Sequence, residues 1–154
     1  MRKNLLYISI LIGLAISCDD VYEQPPQAFL EIALENVDTL DTATPKVSAY
    51  GIGMEDSIWL YQQTTDLFLL PLSLEETTSF VILLDSIADT LRITHETELV
   101  FESAETGFYN EFKILDVDHS FNRIDDYDVT DSLVTKTWHE NIKLYINSLP
   151  DNAN

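Results

Sequence analysis

Apolar and polar residues alternate with a period of two along most of the chain. In Leu30-Glu31-Ile32-Ala33-Leu34-Glu35, the residues Leu30, Ile32 and Leu34 fall on one side, as in a strand with one buried face. Lys46 to Tyr50 repeats the pattern behind Pro45, and Asp56 to Tyr61 predicts a third strand, with Ile58 and Leu60 opposite Trp59 and Tyr61. Asp66 to Leu72 is mostly apolar and contains Pro71, which places it at an edge or a strand end, because proline gives no N–H to a ladder. Thr78 to Leu84, Thr90 to His95, Leu99 to Phe101, Glu111 to Val117 and Arg123 to Val129 follow. Ile142 to Ile146 closes the series, with Ile142, Leu144 and Ile146 on one side. No window holds an amphipathic helix longer than about two turns. About eight strands at intervals of roughly 8–12 residues, joined by Asp, Thr, Ser and Asn turns, predict an all-β fold, an antiparallel β-sandwich of immunoglobulin-like kind. A small closed β-barrel has the same periodicity and is the alternative.

The alternation fails at the start of the chain, where Met1-Arg2-Lys3-Asn4 precedes a run of Leu, Ile and Ala from Leu5 to Ile16. A basic segment followed by an apolar run well short of the ~20 residues that span a bilayer predicts a signal peptide. The run ends at Ala15-Ile16-Ser17-Cys18, and Cys18 is the only cysteine. This resembles the lipobox of bacterial lipoproteins, in which the cysteine becomes the acylated first residue; Ala15 stands where leucine is usual. An exported chain ordinarily keeps its thiols paired, and acylation accounts for a single one. Asp19, Asp20 and Glu23 follow directly; such an acidic cluster resembles the signal that routes lipoproteins of Bacteroidota to the cell surface. The expected division is a signal peptide over 1–17, a lipidated tether over 18–27 containing Pro25-Pro26, one domain over 28–150 and a disordered tail over 151–154.

Charge narrows the partners. The whole chain carries a formal net charge of −19, and removing residues 1–17 takes away Arg2 and Lys3 but no acid. Such a surface repels nucleic acid and anionic headgroups. The length after the tether suits a single core.

With the strands laid out, "KVSAYGIG", "LLPLSLEETTSFVIL", "DTLRITHE", "FESAETGFYNEFKI" and "HENIKLYI" are similar, in order and spacing, to a family of small, functionally uncharacterised lipoproteins of Bacteroidota. The resemblance covers roughly Gln27 to Ile146 and implies a β-sandwich, with no biochemical activity attached. Members often carry one cysteine before the glycine of the "ETGF" block and another ahead of the first strand. Here Thr106 precedes Gly107 and no cysteine lies near Phe29. Any such disulfide, typically worth about 2–4 kcal/mol, is absent. Relatives also tend to place an aromatic where His95 stands.

Chemistry is sparse. In "DVDHSFNRIDDYDVTD", the residues Asp116, Asp118, Ser120 and Asn122 have the alternate spacing of a calcium loop. Phe121 occupies the position that needs glycine for the sharp turn, and Tyr127 the position that needs a bidentate acid. A turn over His119 to Asn122 between two strands fits the same residues. His95, His119 and His139 have no zinc-like spacing, and His95 continues the face of Leu91 and Ile93. No G-x-S-x-G elbow exists, and Gly51-Ile52-Gly53 is better read as a bulge or tight turn than as a phosphate loop. With Ile58 and Leu60 inward, Trp59, Tyr61 and Tyr145 face outward and form a candidate binding patch, since exposed aromatics supply contact area at low entropic cost.

The sequence thus predicts a lipid-anchored envelope protein, a non-catalytic interaction or assembly module with no cofactor. It is held at the outer membrane through acyl chains on Cys18, surface-exposed rather than periplasm-facing. Its partner would be a protein or glycan, not nucleic acid. A calcium-dependent surface binding module is the first alternative and an envelope hydrolase, using His95 or His139 with carboxylates, the second.

Overall fold

A computed structural model describes residues 27–149; Cys18, Asp19, Asp20, Glu23, the signal segment and the C-terminal tail lie outside them. Ten strands follow in order: β1 (Phe29–Asn36), β2 (Lys46–Gly51), β3 (Leu60–Thr64), β4 (Leu67–Pro71), β5 (Thr77–Leu84), β6 (Ile87–Ser103), β7 (Gly107–His119), β8 (Ile124–Val129), β9 (Leu133–Val134) and β10 (Glu140–Ile146). They form a four-stranded sheet in the order β4-β1-β10-β8 and a six-stranded sheet in the order β3-β2-β5-β6-β7-β9. The fold is a β-sandwich, as the alternation predicts.

The inward residues of each strand meet between the sheets. Leu30, Ile32 and Leu34 of β1 and Ile142 and Leu144 of β10 are fully buried, as are Ile82 and Leu84 of β5 and Leu91 and Ile93 of β6. Removing a side chain of this size from water contributes about 1.5–3 kcal/mol. The cluster also takes in Phe68, Phe80, Phe112, Ile124 and Val134.

Four features depart from the sequence-based expectation. First, β1 and β10 pair parallel, with Ile32 opposite Ile142 and Leu34 opposite Leu144. Alternation reports which side of a strand is buried and carries no information about its direction. Second, the strand expected over Asp56 to Tyr61 lies at Leu60–Thr64. The preceding residues are spent on turns: Gly53 has φ +80°, and Ser57 N–H donates to the Met54 carbonyl at 2.9 Å. Third, Thr90–His95 and Leu99–Phe101 belong to one continuous 17-residue strand, bulged against β7 between Thr94 and His95. Fourth, the two-residue β9 adds an edge beside Phe112 and Lys113, too short to show periodicity.

The exposed edges are blunted. β4 ends at Pro71, and β8 presents Asp125, Asp126 and Asp128, charges that discourage a second chain from pairing there. The β5–β6 hairpin turns through Asp85 and Ser86 with φ of +51° and +79°, the doubly left-handed geometry of a two-residue hairpin loop.

Candidate functional site

The expected calcium ligands do not converge. Asp116 and Asp118 lie on the exposed side of β7, and Arg92 reaches Asp118 at 3.8 Å. Ser120 and Asn122 turn instead to Asp89, which is 1% exposed. Its Oδ1 accepts the Ser120 hydroxyl at 2.7 Å and the Asn122 N–H at 2.8 Å; its Oδ2 accepts the N–H groups of Arg123 at 2.7 Å and Ile124 at 3.0 Å. The carboxylate satisfies backbone donors that a buried loop leaves open. Next to it the buried Arg123 pairs with Asp85 at 3.1 Å. Among the described residues no group of three or more His, Cys, Asp or Glu is placed to hold a metal ion. Asp89 escaped the sequence reading because its loop partners are more than thirty residues away.

The histidines are kept apart. His95 is 2% exposed; its Nε2 lies 3.0 Å from the Thr78 hydroxyl, and its ring stands edge-on to Phe112. Nδ1 has no hydrogen-bond partner. Burial holds its pKa below the usual histidine value, because the charged imidazolium would lose its hydration. A cleft of about 790 Å³ takes in His95 together with Glu76, Glu96, Glu98, Glu111 and Lys113, the grouping that the hydrolase alternative calls for. No carboxylate among the described residues reaches Nδ1 to orient the ring as in a Ser-His-Asp triad. Thr78 is itself held by the Ser73 N–H at 2.9 Å. His139 is engaged elsewhere: Nδ1 meets the Thr137 carbonyl at 2.8 Å and Nε2 meets Asp131 at 3.0 Å. Its pKa is raised, first by the Thr137 carbonyl and then by Asp131, while that of Asp131 is lowered, first by the Leu133 N–H.

The outward aromatics divide. Trp59 is half exposed; its indole N–H donates to the Leu69 carbonyl at 2.8 Å, and its ring lies 5.7 Å from Phe29. Trp138 packs edge-on against Phe29 at 5.8 Å, and its indole N–H reaches the Gln27 carbonyl at 3.4 Å. Tyr145 sits elsewhere, in register with Glu35 at the far end of β1, about 20 Å from Phe29 at the usual rise per strand residue. Tyr61 is on β3, the edge of the other sheet. Of Trp59, Tyr61 and Tyr145, only Trp59 joins the aromatic trio. Phe29 and Trp138 complete it, joined from opposite ends of the chain by the parallel β1–β10 pairing.

Past Thr97 and Phe112, where the pairing with β9 ends, β6 and β7 continue as a two-stranded arm. The face that carries Leu91, Ile93 and His95 within the sandwich continues outward as Leu99, Phe101 and Phe108, exposed by 64%, 59% and 56%; Phe101 and Phe108 touch at 5.1 Å. Glu96, Glu98 and Glu102 alternate onto the other face. There Lys136 pairs with Glu102 and lies over the Tyr109 ring, and a hydrogen bond to Glu111 pushes the Tyr109 phenol up to about 12. The segment from Lys136 to Trp138 therefore joins the arm to the aromatic trio, and both lie at the end where the chain enters at Gln27.

These features define a β-sandwich whose buried Asp89 clasps a loop and whose tryptophans gather at one end. Residues 46–146, well over half of the chain, match the profile of DUF6452, a family of unknown function. The protein belongs to that family, which carries no enzymatic assignment. No curated protein and no solved structure matches the chain.

Proposed function

We propose that the protein is a lipoprotein of the Bacteroidota type, anchored at the outer membrane through acyl chains on Cys18, and that it acts by binding or assembly rather than by catalysis. The observation that carries this reading is the placement of exposed apolar side chains. Leu99, Phe101, Phe108, Trp59 and Trp138 share the end of the sandwich where the chain enters from the Cys18 side. Apolar side chains concentrated at one end of a domain mark a place where a partner or a membrane is met. The buried Asp89 and Asn141 are engaged with loop and strand partners, and Arg123 pairs with Asp85 through one nitrogen, roles that serve the fold. Asp19, Asp20 and Glu23 act as the signal for the outer face.

Protease shaving of intact cells, comparing wild type with Cys18→Ala, tests the reading. Cleavage of the wild-type domain from outside, with the variant released unanchored, is the expected result. A wild-type chain that fractionates with soluble periplasmic protein, as the variant does, would overturn it.

A further inference from the structure

We infer that the tether end of the sandwich rests on the bilayer that holds the acyl chains of Cys18. This deepens the proposed lipid anchorage and rests on it. The geometry supplies the occupant. Eight residues separate Cys18 from Gln27, a reach of at most about 32 Å even when fully extended. The Gln27 carbonyl is held by Trp138, which packs on Phe29, which packs on Trp59. The two tryptophans thus sit where the chain arrives from the membrane.

Both indole N–H groups already have carbonyl partners within the protein, so the rings turn apolar surface outward. Tryptophan rings of this kind settle at the headgroup level of a bilayer. Leu74 in the β4–β5 connection and Leu99, Phe101 and Phe108 on the arm widen the same end. The opposite end, with the Asp85–Ser86 turn and the loop clasped by Asp89, exposes Leu40, Leu67, Phe121 and Leu149 and no tryptophan.

Charge selects the lipid. Glu96, Glu98 and Glu102 lie on the face of the arm opposite the apolar strip, and the whole chain is strongly acidic. Anionic headgroups repel such a surface within a Debye length, so a zwitterionic surface is the better fit. The acyl chains of Cys18 supply the attachment itself, and apolar contact at the headgroups adds orientation to it. The aromatic end is that contact, and it fixes the tilt of the domain over the lipid.

Trp59 and Trp138 are the only tryptophans of the chain, so indole fluorescence reports this surface alone. The acylated full-length protein, its lipid verified by mass, is reconstituted into phosphatidylcholine vesicles, some with acyl chains brominated near the headgroup. Trp59→Phe and Trp138→Phe, each conservative, give single-tryptophan reporters. The expected result has four parts: a blue-shifted emission, a severalfold drop in acrylamide quenching, quenching by the shallow bromines, and a weaker response on phosphatidylglycerol vesicles that salt restores. Phe101→Ser with Phe108→Ser, both exposed and outside the core, reduces the protection without lowering the melting temperature.

An acylated protein that floats with the vesicles while its indoles stay open to acrylamide overturns the inference and leaves the anchorage intact. Acrylamide protection without bromine quenching also overturns it, since the rings are then covered by protein, either the tether or a second copy. A protein without acyl mass that does not float overturns the anchorage and the inference together.

Discussion

Replacing Asp89 by alanine removes one side chain and strands four donors. The carboxylate is 1% exposed and accepts the Ser120 hydroxyl and the N–H groups of Asn122, Arg123 and Ile124. Hydrogen bonds to a charged group contribute about 1.5–3 kcal/mol each, and a buried donor left without a partner costs about 1–3 kcal/mol. These terms do not add, because the loop can move and water can enter; the expected loss for Asp89→Ala is about 3–5 kcal/mol. Asp89→Asn keeps one accepting oxygen and turns an NH₂ toward two donors, so it should cost nearly as much. A different argument predicts the opposite sign: the chain has a net charge of −19, and removing any acid relieves self-repulsion. Urea unfolding decides between them. The midpoint should fall while the slope stays constant, since the area exposed on unfolding is unchanged, and Asp126→Ala on the exposed edge strand should leave the midpoint in place. If Asp89→Ala and Asp126→Ala shift it equally, or both raise it, the clasp is not what holds the 120–124 loop.

Three further outcomes are expected. Because the folded pKa of His95 lies below its unfolded value, the unfolded state takes up the proton first; the contribution is absent above about pH 6.5 and destabilising as the pH falls below it. His139, with a raised pKa and a more exposed ring, acts in the opposite sense and more weakly, so His95→Phe should flatten melting temperature against pH between 5 and 7; an unchanged slope would refute the assignment. Ser86→Gly, at φ +79°, should stabilise by about 0.5–1 kcal/mol, since glycine adopts that conformation without a Cβ clash; a loss of stability in thermal melts would show that the turn does not govern the hairpin. Calcium should leave the melting temperature unchanged, because Ser120 and Asn122 are turned to Asp89; a rise abolished by Asp116→Ala with Asp118→Ala would establish the calcium-dependent alternative.

Much of the architecture was legible residue by residue. Leu30, Ile32 and Leu34, and Ile142, Leu144 and Ile146, read as inward faces and are buried, because period-two alternation records which side of a strand leaves water. His95 continued the Leu91 and Ile93 face and is buried with them. The turn at Gly51 to Gly53 followed from glycine content, and Gly53 has the positive φ that requires it. Ile58 and Trp59 misled: their alternation is genuine, but backbone hydrogen bonds of Trp59 to Ala49 and Ser57 to Met54 hold them in a loop.

The sequence by itself determined most of the strands and their buried faces, the acidic surface and the cysteine placed after a signal-like segment, since all of these are local patterns. Only the tertiary structure decided what meets what. The parallel β1–β10 pairing sets Trp138 against Phe29 across 109 positions of chain, and the crossing of a loop onto β6 gives Asp89 its four donors. Neither contact has a local signature, because strand direction and sheet order are chosen by the packing of the whole core. The apolar end arises in the same way: Leu99, Phe101 and Phe108 follow an ordinary strand pattern, and they are exposed because the arm outruns the sheet that would have covered them.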